Sequence, residues 1–137
     1  GLGEIMESAF QFKTPVLTNL EFAVNDKFNS EGKDSVKIPV SMFVNIDRTD
    51  DTSNEATVAL KVEIGDRSDK CPYFINITEQ AGFKWPDGLT EKQRDLLLNQ
   101  NAPSLLLSYI RPVVAQTTAA SEYGAYNIPF MNFTKKQ

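Results

Sequence analysis

The stretch Val36-Lys37-Ile38-Pro39-Val40-Ser41-Met42-Phe43-Val44-Asn45-Ile46-Asp47 decides the fold. Val36, Ile38, Val40, Met42, Val44 and Ile46 alternate with Lys37, Pro39, Ser41, Phe43, Asn45 and Asp47. Successive strand side chains point to opposite faces, so the alternation predicts a strand with one buried face. Pro39 has no N–H for a ladder and suggests a sheet edge or a strand entry. The pattern returns in Ala56, Val58, Leu60, Val62 and Ile64 against Thr57, Ala59, Lys61 and Glu63, and again in Tyr73, Ile75 and Ile77 against Phe74, Asn76 and Thr78. Arg48–Asn54 and Gly65–Lys70 are short polar connectors. A parallel crossover needs about a dozen residues, so the strands form an antiparallel meander. Upstream, Phe10 and Phe12, then Leu20, Phe22 and Val24, alternate around Pro15 and read as one long bent first strand. Asn25 to Ser35 is a polar connection that carries Phe28.

After the turn signal Trp85-Pro86-Asp87-Gly88 the period changes. Thr90 with Gln93 is a capping-box pattern, and a helix is expected over roughly Glu91–Gln100 with Leu96, Leu97 and Leu98 as its apolar content. Asn101-Ala102-Pro103 punctuates the chain, since Pro suits a first helical position. A second helix over about Ser104–Ala120 carries the stripe Leu105, Leu106, Tyr109, Ile110, Val113 and Val114. Pro112 lies inside it and should kink it, at about 3 kcal/mol unless neighbours compensate. The expected architecture is α+β, a four-stranded antiparallel sheet with two C-terminal helices packed on one face. Phe43 and Phe74 fall out of phase with the core set, which fits a subunit contact, a peptide-binding surface or chance.

The chain has 137 residues, the length of one domain, with residues 1–7 and 134–137 expected as flexible termini. At 41% hydrophobic and 23% charged it has an ordinary globular composition. No apolar run approaches the roughly 20 residues of a membrane helix, and the first residues lack a signal-peptide pattern. With 14 Lys+Arg against 18 Asp+Glu the net charge is −4, and no basic patch tracks a phosphate backbone, so no nucleic-acid partner is expected.

The absence of histidine removes Ser-His-Asp and Cys-His activation and His-ligated metals. The single cysteine, Cys71, excludes an intrachain disulfide and a Cys-rich zinc site, and with no His to activate it reads as a buried small hydrophobe. Asp50-Asp51 and Asp66/Asp69 sit in turns, where Asp bonds its own backbone. Asn76-Ile77-Thr78 and Asn132-Phe133-Thr134 match the glycosylation pattern but carry no meaning without a signal peptide. There is no Gly-rich phosphate loop, and no catalytic residue, cofactor or metal is expected.

The helical end carries Asn101-Ala102-Pro103-Ser104-Leu105-Leu106-Leu107-Ser108-Tyr109-Ile110-Arg111, then Tyr126-Asn127-Ile128-Pro129-Phe130-Met131-Asn132-Phe133. These segments resemble the SecB family of export chaperones. Phe74-Ile75-Asn76-Ile77-Thr78-Glu79-Gln80-Ala81-Gly82-Phe83 is similar to the family strand that ends in a Gln-rich, Gly-containing motif, and Phe10-Gln11-Phe12 to its opening strand. The motifs follow in order over roughly residues 8–133. Three departures stand out: the chain stops soon after Phe133, the family's acidic motor-docking position falls near Ile77, and Pro112 replaces a helix-friendly residue.

The resemblance implies an ATP-independent holdase of the bacterial cytoplasm. It would bind unfolded preproteins for the Sec translocase and hand them to the motor SecA, without membrane insertion. It also implies a homotetramer built as a dimer of dimers. A second reading is a SecB-like chaperone dedicated to one client, such as the antitoxin of a toxin–antitoxin system; a small enzyme or ligand carrier is a third. Candidate groove residues are Phe28, Phe43, Phe74, Phe83, Trp85 and Tyr126, each of which has core packing as its competing role.

Overall fold

The computed structural model describes residues 11–32, 35–131 and 133; Phe10 and the expected flexible termini lie outside them. The sheet comprises β1 (Gln11–Phe12), β2 (Val16–Val24), β3 (Val40–Asp47), β4 (Glu55–Gly65) and β5 (Tyr73–Lys84). All pairings are antiparallel: β3 pairs with β4, β4 with β5, and β5 with both β1 and β2 along its other side. The expected bent first strand is therefore two strands on one line, divided before Val16 by Pro15, which has no N–H to donate. The expected start at Val36 moves to Val40, after Pro39, and β3 is the edge that Pro39 suggested.

Register fixes two faces. Leu60 opposes Val44 on one side and Glu79 on the other, and Val62 opposes Met42 and Ile77. That face is buried along β4 and β5, from Val58 to Ile64 and from Tyr73 to Phe83. In β2 the ladder runs Val16↔Gln80, Leu17↔Glu79, then Asn19↔Thr78, with Thr18 as the extra residue of a bulge. The bulge shifts the phase by one, so Leu17 joins Leu20, Phe22 and Val24 on the core side.

The helical half is one rod rather than two helices. α1 (Glu91–Leu96) runs through a π-helical turn, Leu97–Asn101, into α2 (Ala102–Ala119). The Thr90–Gln93 capping box forms, with Gln93 N–H donating to Thr90 Oγ1 at 3.1 Å and Thr90 N–H to Gln93 Oε1 at 2.9 Å. At the junction Ala102 N–H donates to the Leu97 carbonyl, five residues back. Pro103 follows, which cannot donate and whose ring collides with a carbonyl four residues back in an α-turn. The extra residue of the π-turn opens the ladder there and lets the rod continue. Pro112 falls on the exposed side, where the carbonyl it frees faces solvent rather than the core.

Leu106, Ile110 and Val114 of α2 are fully buried, and α2 packs over β4 and β5. Each such side chain contributes about 1.5–3 kcal/mol relative to exposure. The rod does not cover the outer strands. On the core side of β2, Leu17, Leu20 and Val24 remain 42%, 39% and 45% exposed; on the core side of β3, Val44 is 39% exposed.

One turn of this frame tolerates no side chain. Gly65 ends β4 with φ +74°, and a Cβ there would collide with the Tyr73 carbonyl. Its N–H also donates to the Pro39 carbonyl at 2.8 Å. Gly65→Ala should therefore destabilise the fold by roughly 2 kcal/mol or more, read as a lower denaturant midpoint, whereas Gly32→Ala, also at positive φ but with open space around it, should cost less.

Candidate functional site

Two irregular segments meet at the end of the sheet where β2 finishes and β5 begins. The first is the crossing between β2 and β3, tied down at Asn25. Asn25 N–H donates to the Pro72 carbonyl at 2.9 Å, and its amide nitrogen to the carbonyls of Cys71, at 3.1 Å, and Ser68. Lys27 N–H returns to Asn25 Oδ1 and Phe28 N–H to the Asn25 carbonyl, a tight turn that delivers the Phe28 ring inward. The second is the loop that leaves α2. Thr118 is fully buried; its hydroxyl donates to the Val114 carbonyl at 2.7 Å and accepts from Tyr126 N–H at 2.7 Å. Between them Gly124 takes φ +78° and lets the loop fold back.

The result is an aromatic pocket of about 270 Å3, lined among others by Phe28, Val36, Ile38, Tyr73, Tyr123 and Tyr126. Tyr123 stands edge-on to Phe28, 5.9 Å between centroids, and to Tyr73, 6.0 Å away. Phe22 backs Tyr73 at 5.7 Å. These separations suit edge-to-face and tilted pairing, which fixes ring positions as well as burying area. Burial, then the neighbouring Tyr126 and Cys71, pushes the Tyr73 phenol up, and burial does the same to Tyr126. Both remain neutral hydroxyls. Such a pocket presents ring faces, edges and phenolic groups to an apolar side chain.

The structure brings together only Phe28 and Tyr126 of the candidate groove residues. Phe43 and Phe74 lie on the opposite face of the sheet, each under a cation: Lys61 Nζ is 4.8 Å from the Phe43 centroid and the Arg67 guanidinium 4.5 Å from that of Phe74. Lys61 also pairs with Glu63 at 3.5 Å, and Arg67 with Glu21 at 3.3 Å. Phe83 is fully buried in the core. Trp85 is buried beneath Arg48, 5.3 Å from its ring, where Arg48 also donates to the Asp51 and Ser53 carbonyls. The sequence reading missed Tyr73, Tyr123, Val36 and Ile38. Val36 and Ile38 read there as strand, and Tyr73 as one more member of an alternating core set.

Asp50 and Asp66 are held by their own turns, and Cys71 is buried. The Thr52 hydroxyl and the N–H groups of Ser53 and Thr52 hold Asp50 below the usual carboxylate range, and Ser68 does the same for Asp66. Burial pushes the Cys71 thiol up, away from reactivity. Among the described residues no group of three or more His, Cys, Asp or Glu could hold a metal, and no helix is long and apolar enough to cross a membrane. A larger trough of about 420 Å3 lies at the other end of the sheet beside the Lys84–Glu55 pair, and its lining is as polar as it is apolar.

The described residues form an antiparallel sheet backed by one run of helix, with an aromatic pocket at one end. The model of one family, Preprotein translocase subunit SecB, matches residues 13–135, and the chain belongs to that family of chaperones. Among solved structures the fold is similar to that of a Mycobacterium tuberculosis SecB-like chaperone in complex with a ChAD peptide from the HigA1 antitoxin. The TM-score is 0.71 at 14% identity, with 95% of this chain and 96% of that one covered. A Streptococcus agalactiae protein of unknown function is similar at TM-score 0.50 and 9% identity, covering 88% and 97%. No curated protein matches the sequence.

Thr118 offers a test of how the pocket is held. Thr118→Val keeps the shape but leaves Tyr126 N–H unpaired, at a cost of about 1–3 kcal/mol. The denaturant midpoint should fall accordingly, and amide exchange at Tyr126 should accelerate while Ile77 at the sheet centre is unchanged relative to global unfolding.

Proposed function

We propose that this chain is an ATP-independent holdase of the cytoplasm, which takes a side chain of an unfolded polypeptide into the pocket between Phe28 and Tyr126 and so keeps that polypeptide competent for export. The pocket carries the reading. At about 270 Å3 it is smaller than the roughly 300–1,000 Å3 of small-molecule sites and suits one large apolar side chain. Binding by ring faces tolerates many sequences, and several weak contacts on one assembly add through effective concentration. The reading gives the chain no catalytic role and expects self-assembly, as a dimer of dimers. It does not route the motor contact through the family's acidic position, because Ile77 is apolar and fully buried under the rod.

A second reading gives the pocket one dedicated client, an antitoxin segment. The Mycobacterium tuberculosis SecB-like chaperone bound to an antitoxin peptide favours it.

Dilution of a chemically unfolded, slow-folding protein into ATP-free buffer tests both, with aggregation followed by light scattering. Suppression at about one assembly per client is expected of the general holdase. Phe28→Ala with Tyr123→Ala should raise the amount of chaperone required about tenfold or more, as loss of an aromatic anchor costs roughly 2 kcal/mol. No suppression by a folded, assembled protein would transfer the function to a dedicated client. Loss of suppression in Phe43→Ala, with none in the pocket variant, would move the site to the opposite sheet face.

A further inference from the structure

At the end of the sheet far from the aromatic pocket, one rung of the outer face is left open. Asp47 of β3 opposes Thr57 of β4, and Thr57 opposes Gly82 of β5. Lys13 continues the register of β1 by one residue, its N–H donating to the Gly82 carbonyl at 3.1 Å. Lys13, Gly82, Thr57 and Asp47 therefore lie side by side across the sheet, on the face opposite the buried Ala81 and Phe83. They line the trough of about 420 Å3, a volume within the roughly 300–1,000 Å3 of small-molecule sites.

Gly82 is a glycine that the fold does not ask for. Its φ is not in the left-handed region, a Cβ built on it meets nothing within 4 Å, and the β4–β5 register passes it without a shift. Glycine inside a strand weakens the strand. Where it is kept it marks a bulge, a bend or a place where a ligand approaches the backbone. The unbroken register leaves the last of these. The missing side chain opens the floor of the trough, and Thr57 beside it adds a hydroxyl that can donate and accept.

The charges on the two walls are segregated. Lys13 and Lys84 stand on the β1–β5 side, Asp47 and Glu55 on the β3–β4 side. In the neighbouring rung Lys84 and Glu55 face each other directly and pair at 3.8 Å. Lys13 and Asp47 have Gly82 and Thr57 between them, and among the described residues neither makes an ion pair. Three strand spacings separate them, about 14 Å. Strand side chains stand roughly perpendicular to the sheet, so their charges keep much of that distance. A charge-assisted contact of about 3 Å at each end leaves about 8 Å for a bridging molecule.

We propose that this trough binds a short peptide with both ends free, two residues long, with its carboxylate on Lys13 and its ammonium on Asp47. Two extended residues span about 7 Å, which fills the gap; one amino acid is too short and a third residue too long. The central peptide group lies over the bare backbone of Gly82, within reach of the Thr57 hydroxyl. Walls of opposite sign orient a dipolar ligand, whereas a lone anion or cation gains at one wall and loses at the other. The site is distinct from the aromatic pocket and does not depend on the function proposed for it.

The experiment titrates dialanine into the full chain and follows backbone amide shifts by NMR, with calorimetry for affinity. Shifts should centre on Gly82 and Thr57, with Kd of about 1 mM or tighter. Alanine and acetyl-dialanine amide should bind at least about tenfold more weakly, as should Lys13→Gln and Asp47→Asn with dialanine. Lys13→Asp combined with Asp47→Lys should recover binding, since the polarity is exchanged and the span is kept. Gly82→Val should abolish binding while its melting temperature holds or rises, because the site has open space and β-branched residues suit a strand. Phe28→Ala with Tyr123→Ala should leave dialanine binding unchanged. Amides at Gly82 and Thr57 that do not move at about 10 mM dialanine overturn the proposal. Equal binding of the capped peptide, or full binding by folded Gly82→Val, also overturns it. Shifts that centre on Tyr123 and Tyr126 instead assign the dipeptide to the aromatic pocket and overturn it as well.

Discussion

The structure depends on a mismatch in width. One helical rod packs on a wider sheet, and it covers the two inner strands only. Leu106, Ile110 and Val114 close over β4 and β5 and are fully buried there. That contact fixes which parts of the sheet the helical layer reaches. It leaves a ledge on either side of the rod, the core-side flanks of β2 and β3, whose residues still point at a core that ends before reaching them. A broader helical layer would cover Leu17, Leu20 and Val44 and would make a more self-sufficient monomer. Here the apolar surface that folding does not consume remains available for other chains.

Continuity of the rod is what makes a single helix sufficient. Pro103 and Pro112 each break an α-ladder, and two short helices joined at Pro103 would be free to splay and expose the centre of β5. The π-turn at Leu97–Asn101 takes up the first proline by adding a residue to the turn, and keeps Leu97 and Leu98 buried on the same side as Leu106. Pro112 is tolerated because it lies on the solvent side, where no protein donor is needed. The same arrangement sets the loop after α2. Thr118, one turn beyond Val114, is the last residue the rod buries, and its hydroxyl fixes the backbone of Tyr126 and with it one wall of the pocket.

Much of this architecture is legible in the sequence because strand alternation has a period of two, which β3, β4 and β5 keep throughout. The inward sets of β4 and β5 are the residues read from the alternation, and the capping box at Thr90 opens the rod where expected. The readings that moved are those governed by a proline at a strand end, Pro15 and Pro39, or by a single extra residue. Thr18 in its bulge and the added residue of the π-turn have no periodic signature, since each is a phase slip whose cause is tertiary packing. The pocket was half legible. Phe28 and Tyr126 are aromatic residues in otherwise polar loops, which marks them. Tyr73 and Tyr123 do not stand out, one within a core pattern and the other in an aromatic run, and only the meeting of two loops joins them. Phe43 and Phe74, out of phase and so conspicuous, lie beneath Lys61 and Arg67.

Those two cations explain how a chain with apolar ledges keeps its other face from doing the same work. An exposed ring on an open sheet face invites stacking from any unfolded chain. A guanidinium or ammonium over the ring occupies the face through its quadrupole, worth about 0.5–1 kcal/mol at an exposed site. It also surrounds the ring with charge that an approaching apolar segment would have to desolvate. Glu21 and Glu63 hold the cations in place and keep the local charge balanced. In the pocket Tyr123 and Phe28 meet ring edge to ring face, with Ile38 and Val36 beside them. Aromatic side chains are thus present on both sides of the sheet, and on the outer face a few placed charges change what the rings of Phe43 and Phe74 present to an approaching chain.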